Sequence, residues 1–144
     1  MNNAVMFSSA TDEHETPQDL FHRYDQIYRF KVDVCATIRN YKVAPYFTKE
    51  MDGLRQDWHR YGNCWMNPPY GREIGKWLKK TVEEQTKGAL IVALLPARTD
   101  TAWWHDYVIP HADMIDFLRG RLKFGGCKNA APFPSAVATF LPKS

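Results

Sequence analysis

The 144-residue sequence lacks several features that mark whole classes of proteins. It has no apolar run near the roughly 20 residues that a transmembrane helix needs, and residues 1–10 contain neither a basic leader nor an apolar core. Its three cysteines are odd in number and widely spaced, which predicts reduced thiols instead of disulfides. We therefore expect a soluble, intracellular, cytoplasmic protein that begins with a loose segment over residues 1–12.

Metal-binding patterns and strong charge are also missing. No pair among Cys35, Cys64 and Cys127 has the short spacing of a zinc site, and the five histidines form no ligand cluster, so we expect no metal. The net charge of +3 and the pI near 8.8 allow a polyanionic partner without requiring one. The length suits one domain, predicted over residues 13–144, and is too short to add a separate target-recognition domain.

Helical and strand-like patterns alternate along the chain. Thr16 predicts the N-cap of a first helix with Pro17 at its first position, residues 71–87 predict a second, and a third pattern ends at Pro110. Strands are predicted over residues 31–36, 63–67, 89–95, 114–118 and 136–141, with a weak candidate at 43–47. The alternation predicts an α/β domain with a mostly parallel sheet, helices on both faces and an end pairing that can be antiparallel.

The most informative motif, Asn67-Pro68-Pro69-Tyr70, follows an apolar predicted strand. Ligands bind at the carboxyl ends of strands in open α/β sheets. If the Asn67 side-chain oxygen and the Pro68 carbonyl each accept a hydrogen from the exocyclic amine of adenine or cytosine, the nitrogen lone pair turns toward an electrophile. Pro69 keeps Pro68 extended, and Tyr70 would stack on the base. The same four residues also fit an ordinary turn.

Cations near the end of the chain provide candidate phosphate contacts. The candidates are Arg98, Arg119, Arg121 and Lys123. Phe124 follows the last of them, and an aromatic ring among cations suits a flipped or single-stranded nucleotide. For the three late residues, Arg119, Arg121 and Lys123, a solvated basic surface would have the same composition.

A set of motifs occurs here in the order found in one protein family. The motifs are Glu15-Thr16-Pro17-Gln18-Asp19-Leu20-Phe21, Asp33-Val34-Cys35-Ala36, Asp52-Gly53-Leu54, Gln56-Asp57-Trp58, Asn67-Pro68-Pro69-Tyr70-Gly71-Arg72, Leu95-Pro96-Ala97-Arg98-Thr99-Asp100-Thr101, Arg119-Gly120-Arg121-Leu122-Lys123-Phe124 and Ala131-Pro132-Phe133-Pro134-Ser135. Over residues 13–141 the chain resembles the phage-type DNA N-6-adenine methyltransferase (Dam) family. The resemblance implies a Rossmann-like methyltransferase fold, S-adenosylmethionine as methyl donor, adenine in DNA as acceptor, and a phage or prophage origin.

The resemblance also implies roles for individual residues. The catalytic set is Asn67, Pro68, Pro69 and Tyr70. The cofactor set is Thr16, Pro17, Asp33, Asp52, Asp57 and Trp58. Asp33 would meet the cofactor's ammonium, with a helix cap or a salt bridge as the alternative. Asp57 and Trp58 would meet its adenosine and Asp52 the ribose, with a place in the core as the alternative for Trp58.

The sequence therefore predicts S-adenosylmethionine-dependent methylation of the exocyclic N6 of adenine in DNA, by direct transfer to a flipped base. Two alternatives stay open. Cytosine N4 methylation uses the same amine chemistry, and a non-catalytic protein on a methyltransferase fold would bind nucleic acid without reaction.

Overall fold

A five-stranded sheet forms the centre of the computed structural model, which describes residues 14–143. The predicted loose segment 1–12 lies outside the described residues. The strands are β1 (Val32–Asp33), β2 (Cys64–Met66), β3 (Ile91–Pro96), β4 (Met114–Phe117) and β5 (Ser135–Phe140). They lie in the order β1-β2-β3-β5-β4.

The sheet is mixed, so the prediction of a mostly parallel sheet is wrong. β1, β2 and β3 run parallel, but β5 runs antiparallel to both β3 and β4, and these antiparallel pairings are the longer ones. The reason lies in the connection from β4 to β5, which is a loop without a helix. A strand that returns through such a loop pairs antiparallel, whereas a parallel neighbour needs a long crossover.

Within residues 14–143, three helical segments surround the sheet. They are α1 (Gln18–Tyr28), α2 (Ile74–Thr86) and residues 102–111, which have π geometry over Trp104–Val108 and end in α3 (Ile109–His111). Two single-turn 3-10 helices, Gly53–Arg55 and Trp58–Arg60, lie between β1 and β2. No helix of the described residues is long and apolar enough to cross a membrane.

Helix starts and ends differ slightly from the sequence predictions. Pro17, not Thr16, is the N-cap of α1, and it provides no side-chain cap hydrogen bond. The hydroxyl of Thr16 instead takes part in a long-range contact with Asn67. Pro110 lies within α3, one residue before its end. A proline has no backbone N–H and fits poorly inside a helix, and the helical segment 102–111 ends one residue after it.

The helices α1 and α2 cover opposite faces of β2. Successive strand residues point to opposite faces, and Trp65 and Met66 contact different helices. The ring of Phe21 in α1 meets Trp65 edge-to-face at 5.2 Å, and Thr81 Oγ1 in α2 lies 3.4 Å from Met66 Sδ. β2 is therefore buried on both faces, and the residue after it is held in a rigid position.

The crossover between β1 and β2 folds back over the end of β1. The amide of Asp33 donates to the Pro45 carbonyl at 3.1 Å, and the amide of Phe47 donates to the Asp33 carbonyl at 2.9 Å. The weak strand predicted at 43–47 is thus a single parallel bridge, Asp33 with Tyr46. This fold-back brings the crossover loop to the carboxyl end of the sheet.

Candidate active site

A cavity of about 600 Å³, here called the larger cavity, opens where β1 and β2 end. Its walls come from residues 14–16, from the crossover loop, from residues 65–69 and from the start of α2. The volume lies in the range of about 300–1,000 Å³ typical of small-molecule sites. Five of the residues singled out from the sequence line it: Thr16, Asp33, Asp52, Asn67 and Pro69.

Four acidic residues line the larger cavity, and Asp33, at the last position of β1, is the buried one among them. It is buried, and its two carboxyl oxygens accept backbone hydrogen bonds from Cys35 at 3.3 Å and Lys42 at 3.0 Å. Burial raises the pKa of Asp33 to about 7, because desolvation outweighs these hydrogen bonds. A cation that entered the cavity would favour its ionised form.

Asn67 presents an acceptor without a partner. Its Nδ2 donates to Thr16 Oγ1 at 2.9 Å and to the carbonyl of His14. A carbonyl can only accept, so the amide nitrogen must lie on this side and the oxygen on the other. That oxygen, Oδ1, is buried and has no hydrogen-bond partner among the described residues. An unpaired buried acceptor costs about 1–3 kcal/mol, and such a cost is typical of a site built for a donor.

Tyr70 lies in an aromatic cluster below the end of β3. Its hydroxyl donates to the Leu94 carbonyl at 3.2 Å, and burial raises its pKa. The His14 ring stacks on it at 4.7 Å with an interplanar angle of 19°. The rings of Phe124 and Phe133 meet it edge-on at 6.0 and 5.7 Å. One face of the Tyr70 ring is therefore covered by a histidine.

A smaller cavity of about 430 Å³ lies beside Tyr70. It is lined by Tyr70, Arg98, Trp103 and Phe133 among others, and His14 lines both cavities. The Arg98 guanidinium lies 5.3 Å from the centre of the Phe133 ring. The two cavities thus meet at His14, with Asn67 in the larger one.

The basic segment, residues 119–124, approaches the two cavities at its last residue, because the Phe124 ring lies 5.0 Å from the His14 ring and 6.0 Å from the Tyr70 ring. Arg119, Arg121 and Lys123 are exposed. Phe124 is buried beside Tyr70, so the prediction that its ring is available to a nucleotide is wrong: packing against other aromatic rings was more favourable than exposure. The amide of Gly125 donates to the Glu15 carbonyl at 2.9 Å, which ties the segment to residues 14–16.

Four of the residues predicted for catalysis or cofactor binding line neither cavity: Pro17, Pro68, Asp57 and Trp58. Trp58 is fully buried, donates from Nε1 to the Gly53 carbonyl at 2.8 Å and stacks with Trp77 at 6.1 Å. Since Gly53 and Trp77 line the larger cavity, Trp58 lies behind its wall. Asp57 instead pairs with Arg60 Nε at 3.3 Å.

Asp57 also belongs to a cluster of potential metal ligands with His59 and Glu84, whose atoms lie within 4.8 Å of one another. Glu84 is fully buried, with Oε1 2.8 Å from His59 Nδ1 and Oε2 3.1 Å from Lys80 Nζ. Burial alone would raise the pKa of Glu84, but the hydrogen bonds from His59 and Lys80 lower it overall. The ammonium group of Lys80 therefore already balances the charge of the Glu84 carboxylate, and ion pairing explains why these groups lie together.

Sequence reasoning missed two residues of the site. His14 contacts both Asn67 and Tyr70, and Trp65 lines the larger cavity with an Nε1 that is buried and has no hydrogen-bond partner among the described residues. No local pattern marks either residue. The contacts of His14 with Asn67 and Tyr70, and the cavity that Trp65 lines, are formed by parts of the chain that are distant in sequence.

Comparison with known proteins adds a family match to this geometry. Residues 4–137 match the family model described as DNA N-6-adenine-methyltransferase (Dam). A DNA N-6-adenine-methyltransferase of Haemophilus phage HP1 (strain HP1c1) is 31% identical over 119 residues, which are 81% of this chain and 68% of that protein. One of Escherichia phage T1 is 29% identical over 94 residues, which are 65% of this chain and only 39% of that protein.

Proposed function

The chain belongs to the DNA N-6-adenine-methyltransferase (Dam) family, and we propose that it methylates the exocyclic N6 of adenine in DNA, with S-adenosylmethionine as donor and the target base flipped out of the duplex. The parallel strands β1 to β3, with α2 as the crossover between β2 and β3, support a Rossmann-like methyltransferase domain.

The observation that carries this proposal is the unpaired Oδ1 of Asn67. In the proposed reaction it accepts one hydrogen of the adenine amino group. The sequence assigns the other hydrogen to the carbonyl of Pro68, which follows Asn67 directly but lines neither cavity before the base enters. The nitrogen lone pair is then released from the ring and turned toward the methyl donor. Holding the reacting atoms in place contributes roughly 7–11 kcal/mol in favourable cases. No general base is needed, because the methylated nitrogen is acidic and releases its proton to water.

The larger cavity fits the proposed cofactor in size and in charge. S-adenosylmethionine supplies an electrophilic methyl group on a sulfonium centre. The buried carboxyl of Asp33 is suited to its ammonium group, and Asp52, which also lines the cavity, is suited to its ribose hydroxyls. The unpaired indole N–H of Trp65 adds a donor. We leave Asp57 and Trp58 out of the proposed cofactor contacts, because neither lines the cavity.

The smaller cavity is the proposed place of the target base. Tyr70 and Phe133 provide aromatic surface there, and the His14 ring lies on one face of the Tyr70 ring. The proposal puts the base on that same face. Insertion of the base then displaces this ring. Stacking on an aromatic side chain contributes about 1–3 kcal/mol per base, which offsets part of the cost of flipping.

We expect Arg121→Ala to weaken DNA binding about equally for all sequences and to reduce the slope of log K against log salt by about one, since each phosphate contact releases roughly one counterion. Fluorescence anisotropy with a labelled duplex at several salt concentrations measures both quantities. Lys87→Ala is the matched control, because Lys87 is an exposed cation just after α2, at the opposite end of that helix from the cavity. An unchanged salt slope for Arg121→Ala would exclude a phosphate contact.

The reaction itself is tested with unmethylated DNA and methyl-labelled S-adenosylmethionine, followed by nucleoside digestion and mass spectrometry. We expect label in N6-methyladenine. Label in N4-methylcytosine would identify the exocyclic N4 of cytosine as the acceptor instead. DNA binding without label in either single- or double-stranded DNA would indicate a non-catalytic protein.

A further inference from the structure

The orientation of the Asn67 amide depends on a segment far from it in sequence. Its Nδ2 donates to Thr16 Oγ1 at 2.9 Å and to the His14 carbonyl, so residues 14 and 16 accept both amide hydrogens. Thr16 is 2% exposed, and its hydroxyl is committed to this contact while its side chain lines the larger cavity. The resemblance of the sequence implied a cofactor contact for this residue; the geometry assigns the hydroxyl to another partner.

We propose that Thr16 is a positioning residue, whose hydroxyl holds the Asn67 amide so that Oδ1 faces the amino group of the target base. The inference rests on the proposed function, because it names a residue that supports the acceptor used there. Without Thr16 Oγ1 one amide hydrogen loses its partner, and the amide can rotate or turn its N–H toward the cavity. A donor in place of the acceptor would repel the amine hydrogens.

Segment 14–16 is well fixed for this role. Directly after it the chain enters α1, whose Leu20, Phe21 and Tyr24 are buried in the core. Within the segment, Glu15 forms an antiparallel bridge with Gly125, in which the Gly125 amide donates to the Glu15 carbonyl at 2.9 Å. The acceptors for Asn67 are therefore anchored both to the core and to the basic segment beside the smaller cavity. A site that is held before the substrate arrives loses little entropy during the reaction.

The test separates a positioning role from cofactor binding. Thr16→Val replaces the hydroxyl by a methyl group of similar size, and Thr16→Ser keeps the hydroxyl. We expect kcat to fall about 10- to 100-fold in the valine variant, as for a misplaced reacting group, with Kd for S-adenosylmethionine unchanged in calorimetry. We expect the serine variant to recover most of kcat. Thr16→Ala is a second variant without the hydroxyl. It adds no bulk, so it still tests the proposal if the valine variant folds poorly.

Thr81→Val is the matched control. Thr81 is a fully buried threonine of α2 whose hydroxyl donates to the Trp77 carbonyl at 2.8 Å, and it lines neither cavity. Its replacement removes the same chemical group next to Met66, so we expect thermal stability to change while kcat stays near the wild-type value.

Two results would contradict the proposal. A raised Kd for S-adenosylmethionine with unchanged kcat would make Thr16 a cofactor ligand. An unchanged kcat in both Thr16→Val and Thr16→Ala would make the hydroxyl purely structural. A wild-type protein that binds the cofactor and transfers no methyl group would overturn the proposed function, and this inference with it. If the wild type is active and the Thr16 variants give one of the contradicting results, only this inference fails and the proposed function stands.

Discussion

Asn67→Ala will lower kcat by about 100- to 1,000-fold, the loss typical of removing one preorganised polar group from a catalytic site. The Kd for S-adenosylmethionine will stay close to the wild-type value. The reason is that Oδ1 is buried and has no hydrogen-bond partner among residues 14–143, so the acceptor is useful only when a donor such as the adenine amine arrives. Single-turnover methyl transfer at saturating cofactor measures the rate, and calorimetry measures cofactor affinity.

The matched control for this variant is Asn63→Ala. Asn63 immediately precedes β2, whereas Asn67 follows it, and its Nδ2 also donates to a backbone carbonyl, that of Tyr28, at 2.6 Å. The control removes an amide of the same type from the opposite end of the same strand. Comparable losses of kcat in both variants would point to a general disturbance of β2, and a retained kcat in Asn67→Ala would remove Asn67 from the mechanism.

The position of Asn67 could be predicted from the sequence because its determinants are local. An apolar run forms β2, and the two prolines that follow Asn67 cannot continue the strand ladder. The burial of Asp33 at the end of β1 could also be predicted from the sequence, because this acidic residue lies within an apolar run. Both residues follow parallel strands whose carboxyl ends meet at one edge, so the larger cavity follows from these two patterns.

The mixed sheet could not be predicted in the same way. β5 reads as an apolar strand in either direction, and its antiparallel position between β3 and β4 is decided by pairing across the chain. The same limit applies to individual side chains. Thr16 has the local pattern of a helix N-cap, but a contact with Asn67, 51 positions away, determines where its hydroxyl lies. For Trp58 the sequence left core and ligand roles open, and the structure places it in the core.

Asp33→Asn will raise the Kd for S-adenosylmethionine by about 10- to 100-fold at pH 8, because a hydrogen bond between charged groups is worth about 1.5–3 kcal/mol. The side-chain shape is kept and the charge is lost. Asp25→Asn is the matched control, since Asp25 also accepts a backbone hydrogen bond, from Phe30 at 2.9 Å, and lines neither cavity. Equal affinity in wild type and Asp33→Asn would remove Asp33 from the cofactor site.

The pH dependence of the wild type provides a second test of Asp33. Its pKa is about 7 in the folded protein, above the ordinary value of 3.8. Between these pH values the folded state binds a proton that the unfolded state has lost, so the Asp33 contribution to the free energy of unfolding falls as pH rises from about 4 to 7 and is constant above. An ammonium group binds the carboxylate, so cofactor affinity will rise up to about pH 7 and then level off. Calorimetry in two buffers of different ionisation enthalpy will show proton release near pH 6.5 in the wild type and none in Asp33→Asn; a pH-independent wild-type affinity would contradict the ammonium contact.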